Sequence, residues 1–313
     1  MTSTSDSRDI DAEDIWNRIT VVFVVHNSVD VVASTLGNFP NAKRIIVVDN
    51  NSSDGSGDMA RKSHPAVEVI RHDVNSGITI ASNLGFSRAK TEFVLHVNPD
   101  TKFEDGCMEK LVSAADTFPG AACVAPLLIN GQGGMELFLA HKWEIDHHKI
   151  SRLPDGPFST WFLTGAVCLW RTDVLKELGG YDENIFLYYE DNDICIRATQ
   201  AAHSLILVPG AVAYHYGGAS AHVGYKSRWR KDWNQTWGHM YFTAKHLGSE
   251  KATTLALRQL GEFRFKLLQG LISIRPKMIV GYGARVSALK HYLAGKPSWH
   301  RTKWMSTPPW LQD

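Results

Sequence analysis

Residues 44–59 read RIIVVDNNSSDGSGDM. Ile45, Ile46, Val47 and Val48 form a β-branched run long enough for a strand buried on both faces. The run stops at Asp49, and the Asn, Ser, Asp and Gly residues that follow are turn and helix-start chemistry. A strand that ends on a carboxylate and hands over to a helix is the repeating unit of a parallel α/β sheet. Upstream, Ile19–Val25 (ITVVFVV) is another such strand, followed by a helix over Ser28–Asn38. Downstream come a strand at Val67–Arg71, a helix at Gly77–Lys90 and a strand at Phe93–Val97, which closes on Asn98-Pro99-Asp100. The alternation predicts a Rossmann-like, mostly parallel sheet flanked by helices. Ligands of such sheets sit at the carboxyl ends of the strands, where Asp49 and Asp100 both fall.

Beyond Asp100 the pattern gives a helix over Cys107–Thr117 and a short strand at Ala122–Pro126. Residues 130–160 are irregular and read as a mobile loop or short hairpin over the site. A strand at Thr164–Arg171, a helix at Asp173–Leu178 and a stop at Gly179-Gly180 lead into residues 186–197, FLYYEDNDICIR. Burying carboxylates is costly without partners or a metal, so Glu190, Asp191 and Asp193 beside Phe186, Tyr188 and Tyr189 mark a pocket in which charge has a task. A helix running to Ala202 accommodates acidic residues in its first turn. Short strands follow at Leu205–Val208 and Ala211–His215.

The 313 residues, 44% hydrophobic and 21% charged, can build one large domain or a domain with an appendage. The net charge of +1 conceals a split. Residues 225–313 carry 16 Lys+Arg against 4 Asp+Glu, or +12, which leaves 17 against 28, or −11, for residues 1–224. That divides the chain into a disordered, acidic N-terminus (1–17), an α/β catalytic body (18–224) and a basic helical extension (225–313). The N-terminus has no secretory-signal pattern and no apolar run reaches membrane-spanning length. Cys107, Cys123, Cys168 and Cys195 form no CxxC pair and read as buried thiols. A cytoplasmic protein is expected. In the extension, Ser249–Ile274 places Leu260, Phe263, Leu267, Leu271 and Ile274 on one stripe of an amphipathic helix. Basic residues among Trp and Tyr fit peripheral contact with the inner face of the cell membrane. The alternative is a helix for packing or homo-oligomer formation. No nucleic-acid motif accompanies the charge.

Six segments in order, VVFVVHN (21–27), VVDNNSSDGS (47–56), NSGITIASNLG (75–85), VLHVNPD (94–100), the run 162–198 from FLTGAVCLWR to EDNDICIRA, and AVAYHYGGAS (211–220), resemble family 2 glycosyltransferases, in particular the bacterial rhamnosyltransferase-like branch. The resemblance spans roughly residues 19–220, about two thirds of the chain. It implies a GT-A fold, a dTDP- or UDP-sugar donor, a divalent cation (Mg²⁺ or Mn²⁺), inversion at the anomeric carbon, and a glycan or lipid-linked acceptor in cell-surface polysaccharide synthesis, with rhamnose among the candidate sugars.

By the same resemblance, Asn98-Pro99-Asp100 stands for the family's DxD motif. Asp100 becomes a metal ligand, and Asn98 a neutral oxygen donor on the donor side. A strand-end Asx-Pro turn is the plain alternative. Asp49 matches the carboxylate that reads the base, with a helix cap or turn acceptor as its alternative. His26, Asn27, Asn75, Gly77 and Asn83 line the nucleotide, although Ile78 replaces the aromatic usual after that glycine. Thr164, Gly165 and Ala166 flank the donor sugar. Of the pair Glu190-Asp191, Asp191 takes the general-base role and Glu190 orients the acceptor or supports the loop. Asp193 reads as a helix-start carboxylate, and His215 completes the metal shell or touches the diphosphate. Trp161, Tyr188 and Tyr189 are placed to stack on sugars or simply to fill core. Two rival readings are a sugar nucleotidyltransferase of the same fold and a catalytically inactive glycan- or membrane-binding protein.

Overall fold

The computed structural model describes residues 12–136, 153–217 and 224–298. The first half alternates helix and strand: α1 (Ala12–Arg18), β1 (Ile19–Val25), α2 (Val29–Leu36), β2 (Ile45–Asn50), α3 (Ser56–Ser63), β3 (Val67–His72), α4 (Gly77–Arg88) and β4 (Phe93–Val97). Next come β5 (Thr101–Phe103), α5 (Cys107–Thr117), β6 (Ala121–Asn130), β7 (Phe158–Thr160), β8 (Val167–Arg171), α6 (Thr172–Glu177), α7 (Glu190–Gln200) and β9 (Ser204–His215). Three helices close the described chain: α8 (Tyr225–Leu247), α9 (Ser249–Ile272) and α10 (Pro276–Leu293).

One nine-stranded sheet runs β3-β2-β1-β4-β8-β6-β9-β5, with β7 paired to β9. The β3-β2-β1-β4 half is parallel, with Phe23 level with both Val47 and Val97. The runs of β1, β2 and β4 are buried on both faces because helices cover both, while the edge strand β3 is only partly buried. Val21, Phe23 and Val25 pack with Leu36, Phe39, Leu111 and Val112. Val22, Val24, Ile46 and Val48 pack with Ala81, Phe86 and Ile194 on the opposite side. The expected α/β class therefore holds, and the second half adds antiparallel pairings. Strand β8 runs against β4 with Val167 opposite Val97, so Thr164–Ala166 emerge at the edge where β4 ends.

Two local expectations are corrected. Residues 12–17 are not disordered: they lie within α1, where Ile15 and Trp16 are buried and Trp16 meets Phe39 edge-on. Two apolar anchors outweigh the acidic composition around them, and Arg18 adds bonds to Glu92 and Asp116. The two short strands expected at 205–208 and 211–215 are one strand, β9. Pro209-Gly210 does not end it; the register slips there instead, from Pro126 opposite Val208 to Leu127 opposite Val212. Most of the 130–160 loop lies outside the described residues, apart from a turn through Glu136 and strand β7.

The helical region is bound to the sheet domain through Lys245, which meets Asp182 at 2.7 Å and Asp193 at 2.6 Å, and its own helices are joined by apolar packing. Trp233 and Trp237 pack with Ala284 and Ala288, and Met240 with Ala256, Leu260 and Leu289, joining α8, α9 and α10. Among the described residues no helix is long and apolar enough to cross a membrane, and all four cysteines are buried free thiols.

Candidate active site

The carboxyl ends of β1, β2 and β4, the N-terminus of α4, the start of β8, the first turn of α7 and the end of β9 meet along one edge of the sheet. At β1 and β2 the polar residues hold one another. The Asn50 carbonyl lies 3.0 Å from His26 Nδ1. Asn27, in the left-handed region at φ 54°, accepts the Ser53 amide on Oδ1 at 2.8 Å. Asp49 Oδ1 accepts the Ser52 amide at 2.9 Å, and its Oδ2 lies where a side chain at Gly57 would collide with it. The strand-end aspartate thus braces its own turn through Oδ1.

Asn50 Nδ2 donates to Asn75 Oδ1 and to the Gly77 carbonyl, both at 3.2 Å. Gly77 needs to be glycine twice over. Its φ is +86°, and a Cβ there would stand 2.4 Å from the Phe186 carbonyl oxygen. That approach lets Ile78 N–H donate to Phe186 O at 2.9 Å, stitching α4 to the acidic segment. Asn83 is spent elsewhere: its amide donates to Tyr181 O at 2.9 Å and its oxygen accepts Tyr181 N–H at 2.8 Å. It clamps the Gly180-Tyr181 turn, so the expected nucleotide contact is not what its side chain makes.

Asp100 and His215 come together. The Tyr216 amide donates to Asp100 O at 3.0 Å, and Thr101 pairs with His215 across β5 and β9. His215 Nε2 then lies 3.4 Å from Asp100 Oδ1 and 3.4 Å from Asn98 Nδ2, while its Nδ1 meets Glu136 Oε2 at 3.0 Å. Burial lowers the imidazole's proton affinity, but the bonds to Asp100 and Glu136 outweigh it and raise the pKa to about 9. Among the described residues no group of three or more His, Cys, Asp or Glu side chains is gathered to hold a metal alone. What is present is a carboxylate and an imidazole nitrogen side by side, with a second carboxylate on the far nitrogen. Once Nε2 gives up its proton, that donor set fits a hard cation completing its shell with substrate phosphate oxygens.

The acidic pair begins α7. Asp191 accepts the Asn192 amide on Oδ1 at 2.8 Å and the Gly165 amide on Oδ2 at 3.3 Å. The adjacent residue Ala166 accepts the Asn98 amide at 2.9 Å, so Asp191 and the Asn98–Asp100 segment are two bonds apart across β8. Glu190 differs from its neighbour. Burial, reinforced by the charge of Asp191, pushes its carboxyl well above the usual range, and Oε2 is enclosed without a partner. Asp191 holds two backbone donors; on Glu190 the backbone bonds favour the charged form but are outweighed by burial and the neighbouring charge.

Just before the pair, Tyr188 and Tyr189 both adopt positive φ, 67° and 73°. Two successive side-chain-bearing residues in that region store strain that the surroundings must hold. Helix α8 supplies the hold. His239 stacks on Tyr189 at 5.1 Å between ring centroids, and Lys231 sits over the Tyr188 ring at 5.4 Å. Asp193, fully buried, accepts from Arg197, Lys245 and His246 at 2.7, 2.6 and 2.8 Å. It is the helix-start carboxylate expected, and it also serves as a hub joining α7 to α8.

Sequence reasoning missed Glu136 and Arg230. Arg230 Nη2 lies 3.2 Å from His26 Nε2, so the basic extension reaches the carboxyl end of β1 at the candidate site. The signal was available: Trp229, Trp233, Trp237 and Tyr241 recur every fourth residue and define α8, with Arg230 one position off that stripe.

Comparison with known proteins agrees with this geometry. The family model described as "Glycosyl transferase family 2" matches residues 20–179. N-acetylglucosaminyl-diphospho-decaprenol L-rhamnosyltransferase of Mycobacterium tuberculosis is 25% identical over 202 residues, 55% of this chain; the match spans 66% of that relative's length, just under two thirds. The mannosyltransferase PcManGT from Pyrobaculum calidifontis, solved with GDP-Man and Mn²⁺, superposes with a TM-score of 0.53 at 15% identity, covering 89% of this chain and 88% of its own. S. aureus TarS 1–349 in complex with UDP-GlcNAc gives a TM-score of 0.53 at 14% identity, with 89% and 92% covered. At such identities these structures speak for the fold, and it is the expected GT-A arrangement. With the family model covering residues 20–179 and the ordered motifs on one sheet edge, the chain belongs to glycosyl transferase family 2.

Proposed function

We propose that the protein is an inverting glycosyltransferase that takes a sugar from a nucleotide-diphosphate donor and places it on a glycan or lipid-linked acceptor. The observation that carries this reading is the two-bond link between Asp191 and Asn98–Asp100, through Gly165 and Ala166. A base and a phosphate-side carboxylate separated by small residues leave room for a sugar between them. Asp191 takes the proton of the acceptor hydroxyl as it attacks the anomeric carbon from the face opposite the leaving group. Glu190, whose carboxyl burial and the Asp191 charge push well above the usual range, resists carrying a second charge beside it. Trp161, 62% exposed before Phe162-Leu163-Thr164-Gly165, offers an apolar face to the acceptor.

The base would lie against His26, Asn27, Asp49 and Asn75, and Arg230 would hold the diphosphate. Asp100 and His215 would hold a divalent cation, with Glu136 fixing the imidazole. When bound, that cation neutralises charge on the leaving diphosphate. The Mn²⁺ that accompanies GDP-Man in the structurally similar mannosyltransferase supports this assignment. The similarity to the mycobacterial rhamnosyltransferase supports a rhamnose donor and a polyprenyl-diphosphate acceptor.

The test is turnover with dTDP-rhamnose and UDP-sugars, with and without Mn²⁺, against a lipid-linked acceptor. Asp191→Asn should lower turnover about 10²- to 10⁴-fold while donor binding by thermal shift persists. Undiminished turnover in that variant would remove the base assignment. Transfer without nucleotide diphosphate release would remove the reaction class.

A further inference from the structure

Helix α9 carries two apolar faces where the sequence pattern shows one. The inner face, Ala252, Ala256 and Leu260, is buried against Met240, Val286 and Leu289. The outer face bears Leu257, Phe265, Leu268, Leu271 and Ile272, and the α9–α10 turn adds Ile274; all six are exposed, Ile272 at 75% and Ile274 at 81%. Leu257 and Leu268 stand about three helical turns apart on one line, with Ile272 one further turn along. Of the stripe expected from sequence, Leu260, Phe263 and Leu267 turn inward and only Leu271 and Ile274 look out. A contiguous exposed apolar surface of this kind marks an interaction site.

The turn strengthens the case. Ile274 is held at φ 49°, a conformation that a β-branched residue adopts at a backbone cost and that glycine adopts freely. The Arg275 amide closes the turn on Gly270 O at 2.9 Å. The result is an apolar side chain standing at the tip of a helical hairpin. Arg258, Arg264, Arg275 and Lys277 are exposed around this surface. Of the two α9 acids, Glu262 is paired with Lys266 at 3.2 Å and Glu250 lies at the far end.

We propose that this face docks the protein on an anionic lipid bilayer. The apolar side chains enter the interface and the four cations meet acidic headgroups. The charge decides between occupants. A second copy packed on the same face about a two-fold axis would set Arg264 and its neighbours against themselves, whereas an anionic surface complements them. Docking goes beyond the catalytic reading and stands apart from it, since binding to vesicles needs neither donor nor acceptor.

The full chain is tested by co-sedimentation with vesicles of phosphatidylcholine and phosphatidylglycerol against phosphatidylcholine alone. Binding to the mixed vesicles that weakens at high salt is expected. The variant Phe265→Ser/Leu268→Ser/Ile272→Ser should lose at least about tenfold in vesicle affinity with an unchanged thermal melt, because those side chains support no core. Arg264→Glu/Arg275→Glu, which leaves the apolar face intact, should lose a similar factor on mixed vesicles. Wild-type protein that ignores mixed vesicles overturns the inference, as do serine and glutamate variants that bind as well as wild type. Sedimentation-velocity dimers abolished by the serine variant, with no vesicle binding, would assign the face to a second copy instead.

Discussion

Replacing Asp193 with asparagine should weaken the whole molecule, because one buried carboxylate joins the acidic segment to the helical region. Burial raises its pKa, but the bonds from His246, Arg197 and Lys245 outweigh that and hold it at about 2 against an ordinary 3.8. That difference corresponds to about 2 kcal/mol of stability at neutral pH. Removing the charge also takes the acceptor from Arg197, Lys245 and His246, whose side chains are 19%, 30% and 7% exposed, so the loss can approach that of a broken buried pair, about 3–5 kcal/mol. Asp193→Asn is therefore expected to lower the unfolding free energy by about 2–5 kcal/mol at pH 7. The folded value is the depressed one, so the contribution is complete above about pH 4 and disappears as the pH falls through 2. By pH 3 about 1 kcal/mol of the wild-type advantage should already be lost. Urea unfolding followed by tryptophan fluorescence and circular dichroism at both pH values measures this. A double-mutant cycle with His246→Gln should show coupling of about 0.5–3 kcal/mol. A loss under about 0.5 kcal/mol at pH 7, or an equal loss at both pH values, would refute the reasoning.

Three further outcomes are expected. Arg230→Ala should raise the donor KM about tenfold or more, the value of a charge-assisted hydrogen bond, and leave the melting temperature in place; an unchanged KM would take Arg230 out of the donor site. Glu136→Gln should weaken the Mn²⁺ dependence of donor binding about 10- to 100-fold through the freed imidazole, and a response equal to wild type would show that Glu136 does not orient His215. Gly77→Ala should cost more than about 1 kcal/mol, since the new Cβ meets both an unfavourable φ and the Phe186 carbonyl; a melt within a degree of wild type would contradict that close approach.

The parallel half of the sheet was legible because its signals are local. The runs at 19–25, 45–48, 67–71 and 93–97 are mostly β-branched or apolar, and each is followed by polar turn residues. Helix α5 is bounded as expected, from Cys107 to Thr117. Legibility fails where partners lie far apart in the chain. Glu136 acquires meaning only when β9 brings His215 beside it, 79 positions later, and Arg230 reaches His26 across 204. The apolar pattern of α9 misleads for a related reason: spacing shows which residues share a line, but only the positions of α8 and α10 decide which line is covered. Asn83 keeps the motif's identity, yet the Tyr181 backbone takes both ends of its amide. Asp193, one of three neighbouring acids, is told apart only by Lys245 and His246.

The clamp of α8 on the strained Tyr188-Tyr189 turn bears on how family members can be recombined. His239 stacked on Tyr189 and Lys231 over Tyr188 make helix and turn a matched pair. A chimera that grafts a foreign C-terminal region at residue 224 would keep every motif of the sheet domain and yet lose the clamp on its acidic segment. Swaps that exchange residues 182–193 together with 225–247 are the ones that preserve a working unit.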